Sequence, residues 1–279
     1  MWRRVLLALL VLVALCSLLW YSQVFGGEGY RVYVLSYIPI SRPEMAVLKV
    51  VPEELNVFDV RDGLYGDTSL VGLRAGSTVI FNHQGTSLRV FEEAGGFVIE
   101  TLASLNPWDE WRGGTMHAGQ LIQQYVMRTG GFPETIEFER RIVHKQGVFV
   151  TGYTYVYRQW FRGYKGLGFG GIRITIGDGS LVHMLRSLHQ VDGELGMKAQ
   201  VISAREALRV AVRNTQAYTE CSTRFFVHSV RLGYLTLWPE VRQESLEPVW
   251  EIRFSGHTVY VNAHSKEIMF GDGSRYSTR

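Results

Sequence analysis

The sequence predicts an α+β protein, with an N-terminal transmembrane helix followed by tandem helix-plus-antiparallel-sheet units. Three observations carry this reading. An uncharged apolar run, residues 5–25, follows Arg3 and Arg4, and the next formal charge is Glu28. Beyond it, β-branched and aromatic segments alternate with turns bearing Gly and Asp, which is the pattern of strands. Two amphipathic stretches, 116–128 and one opening at Ser203, each precede a group of such segments.

The apolar run comes first. Its 21 residues at about 1.5 Å each span roughly 30 Å, the depth of a bilayer hydrocarbon core. The basic pair keeps residues 1–4 in the cytoplasm. The expectation is a single-pass protein of the cell membrane with an extracellular C-terminal domain. A cleaved signal peptide is the rival. Its apolar stretch is usually shorter and ends at a small-x-small site, whereas this one continues past Ala14-Leu15-Cys16 through Leu18, Leu19, Trp20 and Tyr21. Val13-Ala14-Leu15-Cys16 also resembles a lipid-attachment site, but Leu15 is large for its position. Trp20 and Tyr21 suit the outer interface. Ala8, Ala14, Cys16 and Ser17 are the small residues through which another helix could approach closely.

Composition narrows the class. The chain is 46% hydrophobic and 20% charged, which excludes disorder. Beyond Arg3 and Arg4, 27 basic side chains face 26 acidic ones. No field is available to hold nucleic acid. Cys16 lies in the apolar run, so Cys221 stands alone outside and no internal disulfide can form. A buried thiol is the expectation for Cys221.

The remaining elements follow in order. Residues 26–110 read as a β-rich extracellular region with strands at 31–38, 46–52, 77–82, 87–91 and 97–102, and a loop at 61–66. Residues 111–190 form the first unit. Its helix, 116–128, turns Ala118, Leu121, Ile122, Tyr125 and Val126 to one face, and Gly130, Gly131 and Pro133 stop it. Strands at 135–144, 147–160, 172–176 and 180–188 follow, with hairpin connections at 145–147 and 177–179. Residues 191–279 form the second unit. Ser203 and Glu206 have the spacing of a capping box, and Ala204, Ala207, Leu208, Ala211 and Val212 make the packed stripe. Strands at 225–238, 248–254, 258–263 and 267–270 complete it.

No catalytic pattern emerges. None of the eight histidines has metal-ligand spacing, and His183 and His189, read as lying on one strand, are too far apart to share an ion. The run Gly166–Gly171 leads into a strand rather than a helix, so it reads as a mobile hairpin connection, not a phosphate loop. Gly-x-Ser-x-Gly and Ser-x-x-Lys are absent. Glu137 and Glu139 share a strand face as glycosidase carboxylates might, but solvated strands do this commonly. The expectation is no enzyme, no cofactor and no metal. Trp108, Trp111, Tyr153, Tyr155, Tyr157, Trp160, Phe161 and Tyr164 form a concentrated aromatic set, most of it core, with exposed members suited to anchoring a protein partner.

One set of motifs is more specific. Val201-Ile202-Ser203-Ala204-Arg205-Glu206-Ala207-Leu208 is followed by Leu232-Gly233-Tyr234, Glu247-Pro248-Val249-Trp250 and Tyr260-Val261-Asn262-Ala263. In order and spacing these resemble the YycI/YycH family, membrane-anchored regulators of the WalK (YycG) sensor histidine kinase of Gram-positive bacteria. The resemblance covers about the last 120 residues, and the total length fits YycI. Its motif positions are Ser203, Glu206, Gly233, Tyr234, Pro248, Trp250, Tyr260 and Asn262. PepSY-type domains share the helix start and the terminal hairpin. The strand-rich stretch 30–102 and the Gly166–Gly171 run depart from the family pattern.

The local chemistry is compatible with the motifs. Pro248 opens a strand, where a missing N–H does least harm. Trp250 and Tyr260 are expected in phase on one hairpin face, with Trp250 near the apolar face of the helix, and Asn262 is expected to bond a turn. The resemblance implies a non-catalytic regulator that associates with a sensor histidine kinase and a YycH-like anchored partner through transmembrane helices. The alternative, from another class, is a PepSY-like binding or inhibitor module acting on an extracellular protease or cell-wall component.

Overall fold

The computed structural model describes residues 31–34, 38–66, 69–83, 85–101, 115–177, 180–218 and 224–269. The 5–25 run, with Ala8, Ala14, Cys16 and Ser17, lies outside them, as do Trp108, Trp111 and Cys221. Among the described residues no helix is long and apolar enough to cross a membrane.

In chain order the elements are β1 (Arg31–Val34), β2 (Glu44–Pro52), α1 (Val57–Tyr65), β3 (Leu73–Ala75), β4 (Thr78–His83), β5 (Thr86–Phe91), β6 (Gly96–Thr101) and α2 (Thr115–Arg128). Next come β7 (Ile136–Gln146), β8 (Phe149–Phe161), β9 (Tyr164–Gly168), β10 (Gly171–Gly177), β11 (Ser180–Ser187) and β12 (His189–Gln200). The chain continues as α3 (Ala204–Tyr218), β13 (Arg224–Thr236), β14 (Ser245–Leu246), β15 (Pro248–Phe254), β16 (Thr258–Asn262) and β17 (Ile268–Met269). This is a sheet-rich α+β fold with few helices. The backbone separates into two units, each discontinuous in sequence. The larger holds Met45–Lys198 and Gly233–Pro248, and the smaller holds Met1–Glu44, Ala199–Leu232 and Val249–Arg279. The pattern predicted consecutive segments; the strands that complete each sheet come from distant stretches.

In the larger unit the main sheet runs β9-β8-β10-β11-β6-β5-β4-β3, with β7 paired to β8. Its inward positions alternate: Val79 and Phe81, Leu88 and Val90, Phe97 and Ile99, then Ile172, Ile174 and Ile176 form one buried face. Val57 and Val60 of α1 and Ile122 and Val126 of α2 join that cluster. Of the stretch expected as a loop, 61–66, residues 61–65 are therefore the second half of α1. Asn56 caps it, accepting from the Phe58 N–H at 3.0 Å. Gly66 ends it in the left-handed conformation at φ 66°, where a residue without Cβ carries no penalty. The second helix stops where expected, with the Gly131 N–H bonding Val126 O at 2.7 Å.

Two further expectations change in the larger unit. Gly166 and Gly168 belong to β9, a strand rather than a mobile connection. Residues Gly233–Thr236 pair with it in parallel, so the sheet pairing is not purely antiparallel. A Cβ at Gly233 would collide with the Lys165 carbonyl, which explains the glycine in Leu232-Gly233-Tyr234. His183 and His189 stand on different strands, β11 and β12. The latter strand joins β2 and β14 in a separate three-stranded sheet.

In the smaller unit α3 runs beside β16 and β17. Its stripe of Ala204, Ala207, Leu208, Ala211 and Val212 is completely buried, as the spacing predicted. The β15–β16 hairpin pairs Trp250 with Val261 and Glu251 with Tyr260. Residues directly opposite share a face, so Trp250 and Tyr260 lie on opposite faces rather than in phase. The connecting turn sets the register, and periodicity along each strand alone does not reveal it. Here β1 pairs with β13 in parallel, Arg31 opposite Arg224, a second departure from antiparallel order.

Candidate functional site

Three long polar side chains are buried at one end of the larger unit, and their partners fix the local geometry. Arg186 has a side chain with no exposure. It donates to both Glu53 oxygens, Nε to Oε2 at 2.9 Å and Nη2 to Oε1 at 2.7 Å, and Nη1 donates to Gly131 O at 2.6 Å. This two-point guanidinium–carboxylate geometry is directional as well as strong. It ties β11 to the end of β2 and to the loop after α2. Arg158 is similarly enclosed. It donates to Glu139 at 2.9 Å and to the carbonyls of Gly168 and Gly170. Glu139 is thus a structural ion-pair partner. A bulge between Phe138 and Arg140 interrupts the strand next to it, and Glu137 is exposed.

The third side chain, Gln159, acts as a substitute strand. Its carbonyl accepts from the His189 N–H at 3.0 Å and its amide donates to His189 O at 2.6 Å. The same amide reaches Thr135 Oγ1 at 3.3 Å. A side-chain amide carries the same donor and acceptor as a peptide group. It therefore completes the backbone bonding of the first residue of β12.

Beside these clamps lies a cleft of about 410 Å³. Pro133, Trp160, Phe161, Leu188 and His189 line it, with Arg162 at the β8–β9 turn. His189 is 2% exposed, and neither ring nitrogen has a hydrogen-bond partner among the described residues. Burial pushes its imidazole down to about 4, so the ring is neutral at pH 7. The Trp160 indole N–H is also buried without a partner among the described residues, while Lys165 Nζ sits 5.4 Å from the centre of the Trp160 ring. Arg162 and Gly163 form the two-residue turn between β8 and β9, at φ 51° and 84°. Arginine is an uncommon occupant of that left-handed region.

The walls of the cleft are largely apolar, and its lining residues His189 and Trp160 keep their ring nitrogens buried from solvent. Glu53 is not a free base, since Arg186 holds both of its oxygens. Residue types alone missed this site, because Glu53 and Arg186 are 133 positions apart. The available signal was the placement of Arg158-Gln159 and Arg186 inside apolar strands, where an uncompensated polar group would be costly.

The motif residues fall elsewhere and serve the fold. Ser203 Oγ accepts from the Glu206 N–H at 3.1 Å, which is one arm of the capping box. The Glu206 carboxylate meets Lys266 at 2.8 Å. Trp250 Nε1 donates to Ile202 O at 3.0 Å, immediately ahead of α3. Asn262 Oδ1 accepts from the His264 and Ser265 N–H groups at 2.8 and 2.9 Å, the expected turn. Pro248 opens β15, as expected. Tyr260 lies 3.5 Å from Glu251. In the larger unit, Tyr234 donates to Ala46 O at 3.1 Å, and burial pushes its hydroxyl up to about 12. These residues converge on no common site.

Comparison with known proteins accounts for the motif residues. The family model described as YycI protein matches residues 141–264. An uncharacterized protein from Eubacterium rectale ATCC 33656 has a similar solved structure. The two are 11% identical, 88% of this chain and 92% of that one are covered, and the TM-score is 0.52. YycH from Bacillus subtilis is similar at 14% identity and a TM-score of 0.51, over 80% of this chain and 53% of that one. This chain thus spans about half of the solved YycH chain. At these identities the structural likeness establishes the fold alone. A search of curated proteins found no match. This chain is thus similar to YycI over residues 141–264 and shares its fold with YycH.

Proposed function

We propose that the protein is a non-catalytic, membrane-anchored regulator of a two-component sensor histidine kinase of the WalK/YycG kind. The YycI family match over residues 141–264 carries this reading. At the level of family, it supports a role in the WalK/YycG system. The described carboxylates most deeply enclosed, Glu53, Glu139 and Glu251, each meet an arginine, which suits a scaffold better than a general base.

In this reading residues 5–25 span the bilayer, leave residues 1–4 in the cytoplasm and place the folded units outside. The helix acts by packing against the kinase and a YycH-like anchored partner, with Ala8, Ala14, Cys16 and Ser17 permitting close contact. A helix that binds two signalling states with affinities differing by about 1–3 kcal/mol shifts output roughly 5- to 150-fold. Replacing 5–25 with an unrelated apolar helix tests this. Kinase output should lose its regulation while the outer units still fold; unchanged regulation refutes the helix contact.

The cleft beside His189 favours a second reading, an anchored or secreted PepSY-like binding or inhibitor module. A secreted form beginning at Tyr30 separates the two. Full activity in that form supports the binding module, and loss of activity supports the anchored regulator.

A further inference from the structure

The hairpin between β7 and β8 ends in a tip that is both apolar and basic. Gly152 is the outermost residue of β8 that β10 reaches, opposite Gly177. Beyond it Lys145 pairs with Val150 and Gln146 with Phe149, so residues 145–151 stand out as a two-stranded extension. Every residue from Arg141 to Thr151 is exposed. Hairpin turns ordinarily carry small or polar residues. Here Gly147 takes the left-handed position at φ 62°, but Val148 is 88% exposed and Phe149 76%. Ile142, Val143 and Val150 extend this apolar surface. Contiguous exposed apolar surface of this kind marks a contact with a protein or a membrane.

The charge pattern selects the partner. From Arg140 to Gly177 the chain contains no Asp or Glu. Arg141 and Lys145 flank the apolar tip. The Arg141 guanidinium lies 5.1 Å from the centre of the Tyr153 ring, and Lys145 stands directly opposite Val150. Each has an apolar neighbour for its stem and a charged end for phosphate. A second copy of this chain would bring two basic tips together, which like charge disfavours. An extended acidic segment could add to β7, an edge strand among the described residues. Register shifts between Phe138 and Arg140 and between His144 and Lys145 interrupt that strand's ladder, and such irregularities blunt strand addition. An anionic bilayer surface meets both halves of the pattern, with phosphates for the cations and the headgroup–acyl boundary for the apolar turn. We propose that the β7–β8 tip is a membrane-surface contact for anionic phospholipid, in which Val148 and Phe149 enter the interface while Arg141 and Lys145 meet lipid phosphates. The inference does not depend on residues 5–25 spanning the bilayer.

The test places a nitrobenzoxadiazole fluorophore on Val148→Cys in the full-length protein carrying Cys16→Ala and Cys221→Ala. The protein is held in phosphatidylcholine nanodiscs. Vesicles of phosphatidylcholine alone, or of equal parts phosphatidylcholine and phosphatidylglycerol, are then added, and the emission is also recorded in discs of the mixed lipid. A blue shift, with quenching by nitroxide-labelled lipid, is expected when phosphatidylglycerol is present in the vesicle or the disc. The same label on Val71→Cys, 87% exposed elsewhere in the larger unit, should not respond. Arg141→Gln and Lys145→Gln should each weaken the anionic preference roughly fivefold, and Phe149→Ser should weaken binding roughly tenfold. Unshifted emission in every lipid, an equal response at Val71, or variants that bind as well as the parent overturns the proposal. A response to polyglutamate without one to phosphatidylglycerol also overturns it and assigns the tip to an acidic protein segment. If the labelled background fails to fold by circular dichroism, amide hydrogen exchange of residues 145–150 in the wild type, with the same lipids, decides instead. Incorporation into discs reads residues 5–25 and the label reads the hairpin, so either can fail alone; protein that does not enter discs receives the same vesicles directly.

Discussion

Lowering the pH should destabilise this protein through His189, and replacing that residue should remove the effect. In the unfolded chain the imidazole protonates near 6.5; in the folded chain burial holds it back to about 4. Between those values the unfolded state binds more protons, so stability falls as pH drops through the window and is unaffected above it. At 1.36 kcal/mol per pKa unit, the gap corresponds to about 3 kcal/mol lost by pH 4. His189→Phe has no proton to bind in either state. Its stability relative to the wild type should therefore rise by about that amount between pH 7 and pH 4. The offset at pH 7 is a separate quantity. Losing two unpaired ring nitrogens stabilises by about 1–3 kcal/mol, and fitting a larger ring costs about as much. Urea unfolding of both proteins, followed by tryptophan fluorescence at several pH values, measures the difference. Burial also lowers His183, but that contribution is common to both proteins and cancels. A difference constant to within about 0.5 kcal/mol from pH 7 to pH 4 would refute the assignment of a neutral, enclosed imidazole.

Other substitutions test the remaining supports. Arg186→Met leaves the Glu53 carboxylate without its partner and should cost about 3–5 kcal/mol in chemical denaturation; adding Glu53→Gln should recover part of the loss. Ser203→Ala removes the cap on α3 and should cost about 1 kcal/mol, with Ser203→Asp close to neutral. Gly171→Ala should sharply lower the melting temperature, because φ is 116° there and a Cβ would collide with the Tyr157 carbonyl. Trp250→Phe orphans the Ile202 carbonyl and should cost about 1–3 kcal/mol.

What could be read from sequence was what a single element specifies within itself. The stripe on α3, its Ser203 cap, the stop after α2 and the β15–β16 hairpin all depend on neighbours within a few residues. The errors have the same origin. Residues 61–66 read as a loop because the helix they end is short and is capped at Asn56, before the polar stretch. Gly166 and Gly168 suggested mobility because their purpose, a close approach by another strand, is invisible along the chain. Trp250 and Tyr260 alternate correctly on their own strands, but the turn between the strands sets which residues share a face. The cleft was hidden for a stronger reason. Gln159 meets His189 and Arg186 meets Glu53 only after several strands have taken their places, and no local spacing encodes either pair.

The smaller unit has a consequence for biogenesis. Its first strand carries Arg31 and pairs in parallel with β13 at Arg224, while all of Met45–Lys198 belongs to the other unit. During synthesis, then, the earliest strand leaves the ribosome well before its partner exists. The intervening stretch can condense first, and the waiting strand must be kept from wrong partners meanwhile. Such late closure of a long loop is intrinsically slow. It makes assembly of the smaller unit sensitive to translation speed and to chaperones that shield unpaired strand edges.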